Sequence, residues 1–210
     1  RNDNCLGLVL LITSFENLYG IVSGIEDKGD YKVVKTGDEE YQTKTVIIAT
    51  GAKHRHIGGA GEEEYNSRGV SYCAVCDGAF FRNQDLLVVG GGDSAVEEGI
   101  YLTRFANIVH RRDELRAQKV LQDRAFANEK VKFIWDSVVE EIKGDDIKVR
   151  SVDIKNVKTG EVTNHEFGGV FVYVGLDPVS DYLTGLDITD QDGWVITDDK
   201  MATRIPGIFA

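Results

Sequence analysis

Residues 85–95, DLLVVGGGDSA, have the form of a buried strand, a glycine turn and the start of a helix. Gly90, Gly92 and Ala95 occupy the three small positions of the pattern G-x-G-x-x-A. Small residues at these positions allow a tight turn, and amide groups at the start of the helix can then meet a pyrophosphate. The stretch therefore predicts an α/β unit with a parallel sheet that binds a dinucleotide.

The apolar pattern after this turn predicts a helix over residues 93–105, followed by a returning strand at 108–110. A helix of that length extends roughly 20 Å, and the chain must return over this distance before the next strand ends. Residues 106–110 are few for both a turn and a strand, so this junction is abrupt. A second abrupt junction follows residues 6–12, LGLVLLI, which predict a buried strand. From these two junctions we expect that residues are missing from the chain.

The end of the returning strand carries a basic cluster. In NAD-binding proteins an acidic residue here holds the ribose 2′-hydroxyl, but this sequence has His110, Arg111 and Arg112, with Arg116 one helical turn later. Guanidinium groups bind phosphate oxygens through paired hydrogen bonds. The cluster favours NADPH over NADH, and the alternative is a solvated charged face.

Residues 68–78, RGVSYCAVCDG, place two cysteines three positions apart, with an acid directly after the second. Such a dithiol can exchange with another protein's disulfide. Zinc is the alternative, but it needs about four ligands, and the remaining candidates are Cys5 and four scattered histidines. We therefore predict a redox pair, Cys73 and Cys76, and no metal site. Asp77 either supplies a proton to the leaving thiolate or caps a helix.

The composition sets limits on partners and location. With 210 residues and 42% hydrophobic residues, the chain can form one or two domains. Its formal net charge of −11 disfavours nucleic acid and anionic lipid as partners. Its longest apolar run is far shorter than the ~20 residues of a membrane span, and no signal peptide is evident. Three cysteines do not form a secreted disulfide framework. We predict a cytoplasmic protein.

Further segments are assigned by pattern. Residues 45–50 and 169–175 predict fully buried strands that end at Gly51 and Gly175, each beside a cofactor edge. Other predicted elements are strands at 20–27, 31–36, 131–135, 137–143, 147–157 and 161–167, a charged helix at 111–129, a polar turn at 39–44, a turn and strand at 187–197 and a surface connection at 53–66. The remaining interpretations are a solvated loop at Glu62–Glu64, surface positions for His54, His56 and His165, packing roles for Cys5, Trp135 and Trp194, and for Phe80 and Phe81 either inward packing or a docking spot beside Arg68.

Five segments, CAVCDG, VVGGGDSAVEE, HRRDELRAQ, the ATG strand end and IPGIFA, occur in one order. Together they closely resemble bacterial low-molecular-weight thioredoxin reductases. The resemblance implies an α/β fold of two Rossmann-like three-layer domains. It implies an FAD domain in two parts, 1–54 and 170–210, around an inserted NADPH domain, 55–169. It further implies a homodimer that passes electrons from NADPH through FAD to thioredoxin.

The same resemblance implies roles for individual residues. Cys73 is expected to attack thioredoxin, Cys76 to face the flavin and Asp77 to act as the acid. The positions expected to contact cofactors, from the turn pattern or from the resemblance, are Thr50, Gly51, Gly90, Gly92, Asp93, Ser94, Ala95, Glu97, His110, Arg111, Arg112, Arg116 and Gly175.

The sequence departs from the family pattern in several places. The N-terminal G-x-G-x-x-[GA] turn, the glycine-rich flavin loop and the Gly-Asp motif expected after Ala210 are absent, and Ala79 stands where an aromatic residue would help docking. We expect an incomplete FAD domain rather than a flavin-free relative. The alternatives are a reductase that feeds a peroxidase through a fused thioredoxin-like domain, and a non-catalytic NADPH-binding module.

Overall fold

A computed structural model describes residues 9–10, 20–102 and 106–210. The chain forms two compact units, one of residues 54–175 and one that joins the segment up to residue 53 with residues 176–210. The second boundary falls later than the predicted 169, because residues 169–173 form a strand within the sheet of the central unit. No helix in the described ranges has the length and apolar character needed to cross a bilayer.

The described elements follow in chain order. They are β1 (Val9–Leu10), β2 (Val22–Asp27), β3 (Lys32–Thr36), β4 (Glu39–Thr43), β5 (Val46–Ile48), β6 (Ala52–His54), β7 (Val70–Ser71), α1 (Ala74–Asp77), β8 (Leu86–Gly90), α2 (Asp93–Tyr101), β9 (Ala106–Val109), α3 (Lys119–Phe126), β10 (Val131–Ile134), β11 (Ser137–Gly144), β12 (Val149–Asn156), β13 (Val162–Glu166), β14 (Gly169–Tyr173), β15 (Leu176–Pro178) and β16 (Ile208–Phe209), with 3₁₀ turns at Gly78–Phe81 and Asp181–Leu183.

The central unit is organised around a parallel sheet. Among its described residues, five strands pair in the order β10-β9-β8-β14-β7, and all four of these pairings are parallel. Strand β8 is buried at all five positions, which explains its unbroken apolar sequence. The chain runs outward from β8 through β9 to β10 and then returns on the other side as β14. This order confirms the predicted α/β fold with a parallel sheet.

Side chains of alternate strand residues build two cores on opposite faces of this sheet. On one face, Leu87 and Val89 pack against residues of the antiparallel meander β11-β12-β13, including Ile154. On the other face, Leu86 and Val88 pack with Phe171 and with Ala74 and Ala95 at the starts of α1 and α2. The meander, the sheet and the helices therefore form three layers.

The second unit contains two three-stranded sheets around a separate core and a two-stranded sheet of β6 and β15. Strands β2, β3 and β4 form an antiparallel meander, and β5 pairs antiparallel with β1 and parallel with β16. Its core is an aliphatic cluster contributed by β2, β3, β5, β16 and the segment after Ser180: Ile25, Val34, Val46, Ile48, Leu183, Leu186, Ile188 and Ile208.

Several predictions for this unit were wrong. Residues 39–44 are not a turn, because β4 pairs along its whole length with β3 and buries Thr43. The strand at 45–50 is not fully buried, because only one of its faces meets the core and Ile47 is 45% exposed. In residues 187–197 the predicted turn is present, since the Gly193 amide donates to the Asp190 carbonyl at 3.1 Å, but an isolated bridge, Thr189–Val195, replaces the predicted strand. Trp194, for which packing was predicted, is exposed.

The helix predictions were correct in part. Helix α2 begins at Asp93 as predicted, whereas the predicted end at 105 lies outside the described residues. In place of the helix predicted at 111–129, α3 covers only Lys119–Phe126. The amides of residues 116 and 117 before it are hydrogen-bonded to the Gly91 carbonyl of the glycine turn. Trp135 packs as predicted, stacked on Phe133. Of the predicted strand at 6–12 only Val9–Leu10 is described, and Cys5 also falls outside the described ranges.

Removing the largest fully buried side chain of the sheet tests this layered core. Phe171 meets the edge of Phe81 at a centroid distance of 5.2 Å and has no exposed surface. We expect Phe171→Ala to lower the free energy of unfolding by about 3–5 kcal/mol in chemical denaturation, because it leaves a cavity. Phe126→Ala is the matched control at a position that is 53% exposed and should cost much less. Equal losses would contradict this arrangement of the core.

Candidate active site

The turn between β8 and α2 depends on two adjacent glycines. Gly90 has φ +148°, and a Cβ there would lie 2.8 Å from Ala95 Cβ and still closer to the Tyr173 carbonyl oxygen. A Cβ on Gly91 would overlap the His110 ring, with Cγ at 2.7 Å. The sequence pattern identified Gly90 but missed Gly91, because its constraint comes from the neighbouring strand.

Gly92 differs from these two glycines because it faces open space. It is the N-cap of α2, and a Cβ there would meet no atom of the described residues within 4 Å. The first amide groups of an α-helix have no carbonyl partner within the helix, so they can bind an anion that approaches this turn. Ser94 is exposed beside it, and Ala95 is buried where α2 packs against Gly90.

A basic cleft of about 370 Å³ lies at the carboxyl edge of the parallel sheet. In open α/β sheets, ligands bind at this edge where the strand order reverses, which here is between β8 and β14. The cleft brings together Gly90, His110, Arg111 and Arg116 from the predicted set, and it also includes Gly91, Arg55 and His56. Arg112 and Glu97 are exposed outside this lining.

Residues 111–118 are held as a loop across the glycine turn. The amides of Arg116 and Ala117 both donate to the Gly91 carbonyl, at 2.7 and 3.1 Å. The Gln118 amide donates to Asp93 Oδ1 at 2.7 Å, and the Gln118 side chain donates to Oδ2 at 3.2 Å. The carboxylate of Asp93 therefore positions the loop that carries Arg116. Sequence reasoning missed Gln118, which lies 25 residues from its partner.

His110 forms the floor of the cleft. It is 5% exposed, and within the described part of the chain its Nε2 atom has no hydrogen-bond partner. Burial lowers the pKa of His110 below its usual value, and the charges of Arg116, Arg112 and Arg111 lower it further. Burial and these neighbouring charges therefore favour the neutral imidazole.

Cys73 and Cys76 form a disulfide, with their Cα atoms 5.3 Å apart. Cys73 is the N-cap residue of α1, and its sulfur accepts the Cys76 amide at 3.2 Å. An amide directed at this sulfur favours the thiolate once the disulfide is reduced. In the ranges that the structure describes, no group of three or more histidine, cysteine, aspartate or glutamate residues is placed to hold a metal ion.

Asp77 is linked to the dithiol through a serine. It is the last residue of α1, and its Oδ2 atom accepts the Ser71 hydroxyl at 2.7 Å. Ser71 in turn accepts the Cys73 amide at 3.1 Å. Asp77 does not cap α1, and no side-chain cap bond is formed at the 3₁₀ turn that follows. Ser71 is a site residue that the sequence analysis missed.

The interpretation of Glu62–Glu64 as a solvated loop was wrong for Glu62, which is 2% exposed. Its carboxylate accepts the amides of Ile57 and Gly58 at 3.0 and 2.9 Å, and the Tyr72 hydroxyl at 2.9 Å. A buried carboxylate is tolerated when it is this well hydrogen-bonded. Glu62 thereby fixes the residue directly before Cys73.

The remaining predicted positions lie apart from the cleft lining. In the second unit, the Thr50 hydroxyl donates to the Val179 carbonyl at 2.7 Å, and Gly51 has φ +67° with open space around its Cα. In the central unit, Gly175 has φ +118° and lies beside the Arg55 side chain. Beyond the dithiol, Phe81 packs inward and Phe80 is 78% exposed.

A family model described as pyridine nucleotide-disulphide oxidoreductase matches residues 11–210. The chain belongs to this family. It is 56% identical over 198 residues to thioredoxin reductase of Listeria innocua, which covers 93% of this chain and 62% of that protein. It is 53% identical to thioredoxin reductase of Bacillus subtilis, covering 93% of this chain and 63% of that protein.

Solved structures give the same result. Thioredoxin reductase of Lactococcus lactis matches with a TM-score of 0.81 and 66% identity, over 92% of this chain and 65% of that one. Thioredoxin reductase of Streptococcus pyogenes matches with a TM-score of 0.77 and 71% identity, over 92% and 64%. The chain thus spans about three-fifths of the length of these family members. The resemblance identified from the sequence is confirmed.

Substitutions at Gly91 and Gly92 test the folding of the turn and its binding of a ligand separately. We expect Gly91→Ala to lower the free energy of unfolding by about 1–3 kcal/mol, because its Cβ overlaps His110. Gly92→Ala should leave thermal unfolding unchanged and weaken the binding of a nicotinamide dinucleotide, because its Cβ would occupy only the space open to a ligand. Thermal unfolding of the complete protein and its titration with nicotinamide dinucleotides measure both effects. Equal destabilisation by the two substitutions would contradict this description of the turn.

Proposed function

We propose that the complete protein is an NADPH-dependent thioredoxin-disulfide reductase, a flavoprotein that uses FAD. The observation that carries this proposal is the Cys73–Cys76 disulfide in the same compact unit as a basic nucleotide cleft. Relatives named thioredoxin reductase support it at 53–56% identity. In the overall reaction, NADPH, a proton and thioredoxin disulfide give NADP⁺ and thioredoxin dithiol.

The nucleotide site fits NADPH through its cations and its open turn. Arg111 and Arg116 line the cleft, and guanidinium groups match the oxygens of a 2′-phosphate. The space at Gly92 accommodates a pyrophosphate at the start of α2, and His110 lies in the cleft lining beside Gly91. In this proposal Arg112, outside the cleft lining, adds charge at its entrance.

Positions for FAD are supported by the local backbone. Gly51 and Gly175 both have positive φ. Within residues 9–10, 20–102 and 106–210, no atom lies within 4 Å of a Cβ built on Gly51, so a flat ring system could approach its backbone. The hydroxyl of Thr50 is held by Val179 and fixes the turn before Gly51. When bound, FAD supplies two-electron transfer between the nicotinamide and the disulfide.

The two cysteines and Asp77 have separate proposed roles in the transfer of electrons to thioredoxin. Reduction of the disulfide takes up two electrons and two protons. Cys73 is the proposed nucleophile toward thioredoxin, because the Cys76 amide stabilises its thiolate. Its attack forms a mixed disulfide, which Cys76 resolves as the second thioredoxin thiol leaves. Asp77, held by Ser71, is the proposed donor of the proton to the leaving thiolate.

Homodimeric assembly and a cytoplasmic location remain predictions from the sequence.

The dithiol is tested by Cys76→Ser in the complete protein. We expect NADPH-dependent reduction of thioredoxin disulfide to be lost, because the mixed disulfide with Cys73 cannot be resolved. Bound flavin, followed by its visible absorbance, should be retained. Cys5→Ser serves as a control for a cysteine outside the motif. Turnover that survives Cys76→Ser would rule out the pair as the electron carrier.

The arginines are tested by the double substitution Arg111→Ala and Arg112→Ala. We expect the KM for NADPH to rise roughly 10- to 100-fold, the loss of one or two charge-assisted hydrogen bonds, while the KM for NADH changes little. Arg124→Ala, an exposed arginine on α3, is the matched control. An unchanged preference for NADPH over NADH would contradict the proposed phosphate site.

A further inference from the structure

Tyr173 lies between the nucleotide cleft and the dithiol. It is the last residue of β14 and pairs with Gly90 of β8. Its carbonyl oxygen lies so close to Gly90 that no side chain could be placed there. Tyr173 is one of the residues that line the cleft, and its side chain packs with the cluster on the helix face of the sheet. The pairing of β14 with β8 therefore holds Tyr173 beside the glycine turn.

The hydroxyl of the same residue reaches the dithiol. It accepts the Ala74 amide at 2.7 Å, and Ala74 is the buried first residue of α1, directly after Cys73. An amide at this position has no carbonyl partner within its own helix. Burial raises the pKa of Tyr173 to about 12: the Ala74 amide opposes this shift, and the charges of Glu98 of α2 and Asp77 of α1 add to it. The acceptor is thus a neutral phenol throughout the physiological pH range.

We propose that Tyr173 is a positioning residue for the redox pair: its hydroxyl fixes the first turn of α1 and so aims the Cys76 amide at the sulfur of Cys73. The inference deepens the proposed function, on which it rests. The physical link is short, because the amide held by Tyr173, that of Ala74, and the amide that contacts the sulfur, that of Cys76, are only two residues apart.

This arrangement has a consequence for thiol chemistry. A hydrogen bond to a thiolate lowers the pKa of the thiol, and its strength falls steeply when its angle or length is poor. Without the Tyr173 hydroxyl, the first turn of α1 loses its anchor on the sheet and the Cys76 amide is less well directed. Among the described residues, Ser71 also contacts Cys73 and links it to the Asp77 carboxylate, and these two hydrogen bonds do not involve the Tyr173 hydroxyl.

The test measures the pKa of Cys73 in the complete, flavin-loaded protein. Cys76→Ser keeps the backbone amide of residue 76 and leaves Cys73 as the single thiol of the pair. In that background, alkylation by iodoacetamide is followed against pH by mass spectrometry of the peptide that carries Cys73. We expect Tyr173→Phe to raise the midpoint of the profile by about half to one pH unit, the effect of weakening one hydrogen bond to a charged group.

Tyr65→Phe is the matched control, because it removes a hydroxyl from another buried tyrosine of the same unit that packs in the cluster on the meander side of the sheet. Its alkylation profile should equal that of the parent. Tyr173→Phe keeps the ring and therefore its packing, and thermal unfolding verifies the fold. An identical midpoint in the Tyr173→Phe and parent proteins would overturn the inference, even where Cys76→Ser abolishes turnover. Turnover retained by Cys76→Ser would instead overturn the proposed function.

Discussion

The closest backbone packing at the site occurs at Gly90, where β8, β14 and α2 meet. Only a residue without a side chain allows the Tyr173 carbonyl and the Ala95 methyl group to approach it together. This contact brings the start of α2 to the carboxyl edge of the sheet, and the next residue, Gly91, admits the buried ring of His110. The cleft, the loop of residues 111–118 and the end of β14 all depend on this close packing at Gly90.

The loop of residues 111–118 shows how such a contact determines local structure. Its charged sequence favours a helix, but a helix would withdraw the amides of Arg116 and Ala117 from the Gly91 carbonyl. Asp93 secures the other end of the loop through Gln118. Four hydrogen bonds to the glycine turn thus hold the loop in place, so the arginines are positioned by the turn that also offers helix amides to a phosphate.

The parts of the structure that could be predicted are those whose signal lies within a short stretch of sequence. Strand β8, the glycine turn and α2 follow from local apolar and glycine patterns, and so do the redox cysteines. The contacts of Gln118 with Asp93, of Ser71 with Asp77 and of Glu62 with Tyr72 join residues on different elements, and no local pattern marks them. The polar strand β4 was missed for a related reason, because its pairing with β3 outweighs its weak strand propensity.

Electrostatics explains why the proposed binding of a polyphosphate ligand would depend on a few residues. With a formal net charge of −11, the chain as a whole repels a polyphosphate ligand. At physiological ionic strength such repulsion is screened beyond about 8 Å, so charges that line the cleft outweigh more distant carboxylates. The same crowding favours the neutral form of His110, because its pKa is lowered by burial and by Arg111, Arg112 and Arg116. A negatively charged phosphate would relieve the repulsion among these arginines, so ligand binding and the local arrangement of charge favour each other.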